Sequence, residues 1–233
     1  MENLKIGIIA EGKSDIAVLY NVLVGLLGIN RNQIKPIVPD LTSDETYIDT
    51  VKNDPKSFSN WTIVRQNCIN KEEIEDFFND NPRGQDLILI IQIDTAERFE
   101  KNYDVHQPSK TKDKDYSENL RENVILKIDE WLDQSYDNLF YAIAIEETEA
   151  WLLTLIDSGK NDTSAYQSPK EKYFRVIQKD RTKKNVLRKK AFEKYDELSR
   201  PLRKNKTLKK ARKKNKSLNL FCGSLEKSIN KDA

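Results

Sequence analysis

Residues 87–93, Leu-Ile-Leu-Ile-Ile-Gln-Ile, leave a folding chain few choices. The run is almost continuously aliphatic, so neither face of a strand built from it can be left in water. That is the pattern of a central strand in a parallel sheet covered on both sides. Parallel strands need long crossovers, usually helical, so the rest of the chain should alternate strands with helices. Residues 5–10 (Lys-Ile-Gly-Ile-Ile-Ala) read as a short buried strand. A tight turn follows at Glu11-Gly12-Lys13-Ser14-Asp15, with Ser14 or Asp15 as a helix N-cap. Ile16, Leu19, Leu23, Leu26 and Leu27 then recur at helical spacing. Residues 34–38 and 61–64 are further strand candidates, and 71–78 is a helix candidate with Ile74, Phe77 and Phe78 inward. A polar stretch with Pro108 (98–116) reads as an exposed loop. Ser117 opens a helix carrying Leu120, Val124, Ile128, Trp131 and Leu132 on one face. Residues 140–145 form another buried strand, and 150–156 continue as a helix. The expected fold is α/β: a mostly parallel sheet flanked by helices, with a basic, mainly helical C-terminal region. Residues 1–158 are the α/β domain, 159–169 a linker or long loop, and 168–233 the basic region packing on the domain. Within that region the apolar patch 218–225 is expected to dock on the body.

Charge divides the chain more sharply than hydropathy does. Residues 1–167 carry 17 Lys and Arg against 31 Asp and Glu, a balance of −14, and residues 168–233 carry 23 against 7, a balance of +16. One reading is mutual attraction of the two parts. The other is that the basic part holds a polyanion while the acidic part holds divalent cations. The longest uncharged apolar stretch, 16–29, falls short of the roughly 20 residues a membrane span needs. The opening residues run into a strand rather than a signal peptide's apolar core. With two cysteines, Cys68 and Cys222, a reducing, cytoplasmic setting is expected. A single histidine, His106, argues against His-rich metal sites and against nucleophile–histidine catalysis.

Ligands of parallel α/β sheets bind beyond the carboxyl ends of the strands. Glu11 follows the first strand there, Asp94 and Glu97 the central one, and Glu146, Glu147 and Glu149 the last. Any one of these acids alone fits a helix start, where it complements the dipole. Converging from separate elements they repel, and a cation makes them tolerable together. Oxygen donors without histidine suit Mg²⁺ or Mn²⁺, which support phosphoryl chemistry. Glu146 and Glu149, three apart, are expected to share a helix face, with Glu147 turned to solvent. Asp15 is either a cap or part of the same group.

Glu11-Gly12-Lys13-Ser14-Asp15, set between an apolar strand and an apolar helix, resembles the opening motif of Toprim domains. These are the metal-binding catalytic domains of topoisomerases, bacterial primases and overcoming-lysogenization-defect nucleases. Their second motif is an apolar strand closed by Asp-x-Asp. Asp94 matches its first Asp, whereas the second falls on Ala96, which cannot bind metal; Glu97, Glu146 or Glu149 would take that place. Residues 144–153 and the tail pattern 199–202 through 217–221 look like small Toprim-related bacterial proteins, which are suspected of working beside an ABC-type ATPase in antiviral defence. The resemblance implies a Mg²⁺- or Mn²⁺-dependent nuclease acting on DNA or RNA, transfer RNA among them. Glu11 would be the general acid/base or a ligand, and Asp94 a ligand. Lys13, Arg203, Lys204, Lys206, Lys209, Lys210, Arg212 and Lys213 would supply phosphate contacts. The alternative is a non-catalytic nucleic-acid-binding or assembly subunit with a degenerate site. No P-loop is present, so no intrinsic ATPase is expected. His106 reads as a surface residue, the cysteines as ordinary thiols, and Trp61, Trp131 and Trp151 as core.

Overall fold

The computed structural model describes residues 3–41, 61–81, 84–109, 115–159 and 162–229. In chain order the elements are β1 (Leu4–Ile9), α1 (Lys13–Leu27), β2 (Ile34–Val38), α2 (Trp61–Asn70), α3 (Glu72–Asn79), β3 (Asp86–Asp94), α4 (Tyr116–Leu132), β4 (Leu139–Ala144) and α5 (Glu149–Leu153). The C-terminal region adds α6 (Pro169–Ile177), α7 (Lys184–Leu187), α8 (Ala191–Ser199), α9 (Asn205–Arg212) and α10 (Lys216–Ile229), with short 3₁₀ turns between several of them.

The strands form one sheet in the order β2-β1-β3-β4, with every pairing parallel. The aliphatic run lies where it must, inside the sheet, and it is buried from Leu87 to Ile93. Alternation along β3 splits its side chains between two cores. Ile88 and Ile90 face α1, α5 and the C-terminal helices, together with Ile6 and Ile8. Leu87, Leu89, Ile91 and Ile93 face α2, α3 and α4. The basic region is therefore no loose tail. Tyr173, Tyr195, Leu198, Leu202, Leu208, Leu218, Phe221, Cys222 and Leu225 join the same buried cluster as α1. The apolar patch 218–225 is the inner face of α10.

Four sequence expectations change. Residues 61–64 open helix α2 rather than a strand. Trp61, Val64 and Cys68 are its buried positions, a helical spacing that a four-residue window does not reveal. Trp61 stacks on Tyr103 and Trp131, with ring centroids 5.2 and 6.1 Å apart. The segment after β3 is not a fully exposed loop, because Arg98, Tyr103 and Val105 are buried. The N-cap of α1 is Gly12, ahead of both Ser14 and Asp15. Glu146 and Glu149 share no helix face: α5 begins at Glu149, and Glu146 sits before it with φ of 63°. Among the described residues no helix is long and apolar enough to cross a membrane.

Candidate active site

The chain leaves β1 for β2 on one side of the sheet and leaves β3 for β4 on the other. The connections thus diverge between β1 and β3, and a crevice opens beyond their carboxyl ends at such a switch point. Glu11 and Asp94 occupy it. The Asp94 amide donates to Glu11 Oε1 at 2.7 Å, so residues far apart in sequence meet directly.

Gln92 organises the pair. It is the one polar residue inside the aliphatic run and is fully buried. Its Oε1 accepts the Glu11 amide at 3.1 Å, and its Nε2 donates to Asp94 Oδ1 at 2.9 Å. Thr148, just before α5, adds its hydroxyl to Asp94 Oδ1 at 3.1 Å and its amide to Asp94 Oδ2 at 3.2 Å. Below them the Tyr103 hydroxyl donates to the Asp94 carbonyl at 2.8 Å.

The electrostatics of the cluster are unfavourable on their own. Burial holds the Glu11 carboxyl well above its ordinary value, and the charges of Asp15, Glu97 and Glu100 push it further, against the Asp94 N–H bond. Asp94 is raised well above its ordinary value by burial, then by Asp15, Glu11 and Glu149. Asp15, buried on the first turn of α1, is raised by burial. Among the described residues no Lys or Arg nitrogen forms an ion pair with Glu11, Asp15 or Asp94.

The other sequence candidates divide. Glu149 is buried and faces the group; the Tyr195 hydroxyl of α8 donates to it, and Lys170 Nζ lies 4.0 Å from its Oε1. Glu97 sits at the rim, raised by burial and by Glu100 and Glu147. Glu146 turns away to Arg98 at 3.2 Å, which is itself held by the Thr95 carbonyl. Glu147 is half-buried and accepts the Lys170 amide at 3.1 Å rather than standing in solvent.

The basic candidates divide as well. Lys13 begins α1 beside Glu11. Arg203 pairs with Asp196 at 2.9 Å, and Arg212 grips Glu226 with two bonds of 2.7 and 2.8 Å, so both fasten helices together. Lys204, Lys206, Lys209, Lys210 and Lys213 are exposed. Asn205 bonds the Gly25 carbonyl, which puts the start of α9 at the far end of α1, roughly 18 Å along its axis from Lys13.

Sequence reasoning left Gln92, Thr148 and Lys170 without a role, and read Tyr195 as a base-stacking or helix-packing ring rather than as a partner of Glu149. Only Gln92 carried a signal, as a buried amide where the strand calls for an aliphatic residue. The Lys170 charge reaches Asp15, Glu97 and Glu147 as well as Glu149.

Oxygen donors, burial and mutual repulsion suit a hard divalent cation. Among the described residues no three Asp, Glu, His or Cys side chains already stand as a metal-holding group. The match is thus one of donor type and charge, with Asp94 and Asp15 as residues that would hold the ion and Glu11 as either a further ligand or the acid/base group. Comparison with known proteins finds no family model, curated protein or solved structure that matches this chain.

Proposed function

We propose that the protein is a Mg²⁺- or Mn²⁺-dependent nuclease with a Toprim-like core. The observation that carries this reading is the meeting of Glu11 and Asp94 at the switch point, a buried pair with which no Lys or Arg among the described residues forms an ion pair. A divalent cation held there supplies charge neutralisation and Lewis acidity toward a phosphodiester. Glu11 acts as the acid/base group. Its Oε1 is taken by the Asp94 amide, so Oε2 is the atom that accepts a proton from the attacking water. A carboxyl raised above its ordinary value by burial suits that task. Gln92 and Thr148 orient Asp94, and the exposed lysines of α9 hold the substrate backbone. Those contacts are to phosphate, which favours little sequence preference. The chain has no P-loop, so ATP-driven control would come from an ABC-type ATPase partner in antiviral defence, as the sequence resemblance implies.

A second reading is a non-catalytic nucleic-acid-binding subunit. It is favoured by Ala96, which stands exposed where the Toprim motif has its second Asp. The two readings separate when plasmid, single-stranded DNA and total RNA are incubated with the protein in Mg²⁺, Mn²⁺ or chelator. Metal-dependent cutting that disappears in Asp94→Asn is the expected outcome. Binding without cutting, unchanged in that variant, supports the second reading.

Lys170 supplies a further prediction. Its ammonium competes electrostatically with a bound cation, so Lys170→Met is expected to tighten Mn²⁺ binding. The side chain is 56% exposed, which limits the gain to about fivefold, the ceiling for a screened surface pair. Titration calorimetry checks this, and weaker binding in the variant refutes the assignment.

A further inference from the structure

We propose that the open cavity beside Phe99 takes one unpaired nucleobase. Phe99 is 65% exposed on the turn that follows β3. Leaving a Phe in water forgoes most of the stabilisation its burial would give, and this ring is not simply loose. The Arg98 guanidinium lies 4.6 Å from its centroid. Arg98 is itself fixed, with bonds to the Thr95 carbonyl at 2.5 Å and to Gln107 Oε1 at 2.7 and 3.2 Å. A buried, immobilised cation thus backs the ring and presents it to solvent.

The cavity has about 400 Å³ and is lined by Arg98, Phe99, Asp104, Val105, His106 and Gln107. That is the lower end of the range for small-molecule sites. The lining joins planar rings with carboxylate and amide groups, which is the chemistry that stacks a base and reads its edge. Its floor is rigid, because Tyr103 and Val105 are buried and Val105 N bonds the Arg98 carbonyl at 2.9 Å.

Placement relates the cavity to the carboxylates. The same turn carries Tyr103, whose hydroxyl donates to the Asp94 carbonyl at 2.8 Å. The turn that carries Phe99 is thus tied directly to the end of β3 that carries Asp94. Duplex bases keep their faces stacked on one another, so the occupant is a single-stranded or extruded base. The role of this base in cleavage rests on the nuclease reading; its binding does not.

The test uses the full chain in chelator, with short single-stranded DNA and RNA, an abasic strand and a duplex followed by fluorescence anisotropy. Phe99→Ala is expected to weaken single-strand binding by about 5- to 100-fold, the range for one lost stacked base. Duplex and abasic binding should hold, and so should the urea midpoint, since the ring is exposed. Phe99→Trp is expected to keep the affinity, with emission beyond that of the wild type quenched on binding. Wild-type affinity in Phe99→Ala, equal loss for all ligands, or an unmoved Trp signal overturns the proposal, as does a wild-type chain that binds no single strand. Absence of cutting with these binding results intact would count against the nuclease reading alone.

Discussion

Replacing Glu11 with glutamine is expected to lower metal-dependent cleavage by about 10²- to 10⁴-fold, the contribution of a positioned acid or base. The same change should make the metal-free protein more stable at neutral pH. Both expectations come from one fact: the Glu11 carboxyl is held well above its ordinary value of 4.5 by burial and by Asp15. A carboxyl raised in the folded state stabilises fully below its unfolded value, and that contribution is lost as pH rises through the folded value. Stability in chelator should therefore fall as pH rises above the ordinary carboxylate range, and Glu11→Gln should flatten the slope. Some slope will persist, because Asp94 and Asp15 are raised too. Added Mn²⁺ should restore wild-type stability by mass action and do less for the variant. Thermal unfolding across that rise in pH, with and without metal, checks this. Full activity in Glu11→Gln, or a pH slope as steep as that of the wild type, would remove Glu11 from the site.

Much of this arrangement was legible in the order of residues. An aliphatic run too apolar for a one-sided strand fixed β3 as a central parallel strand, and parallel topology then put Glu11 and Asp94 at the same end of the sheet. What sequence could not supply was rotation about the final turns. Glu146 and Glu149 differ in destination because φ at Glu146 is 63°, a backbone choice that spacing does not encode. Trp61 is core as its context predicts, but residues 61–64 are helix rather than strand, because that helix is held by partners forty and seventy residues away, Tyr103 and Trp131. The tail is the most instructive case. Its charge suggests an arm for polyanions, yet Leu208, Ala211, Leu218 and Phe221 bury one side of it. Arg203 and Arg212 are spent on Asp196 and Glu226. Single-residue charge counts cannot separate cations that fasten helices from cations left for a ligand, because the difference lies in tertiary partners.

Gly25→Ala is expected to lower stability by about 3 kcal/mol, although alanine ordinarily gains up to about 1 kcal/mol over glycine inside a helix. A Cβ on Gly25 would lie 2.0 Å from the Leu202 carbonyl oxygen and 3.0 Å from its carbon. These are backbone atoms of the turn Arg200–Arg203, and they cannot swing aside as a side-chain tip does. The turn would have to leave α1, and with it the Asn205 bond to the Gly25 carbonyl and the Arg203 contacts with Asn21 and Asp196. At about 2–4 °C per kcal/mol for a chain of this size, the midpoint should fall by about 6–12 °C. Gly223→Ala is the matched control, since nothing lies within 4 Å of a Cβ at that position of α10. It should be neutral or gain about 0.5–1 kcal/mol. The consequence reaches the site, because α8, which delivers Tyr195 to Glu149, leads directly into the displaced turn. Glu149 would lose its phenol partner and remain beside Asp15 and Asp94. Activity should then fall more steeply than folded fraction. A Gly25→Ala protein as stable as the wild type would show that the basic helices are not seated on α1, and the link from tail to carboxylates would go with them.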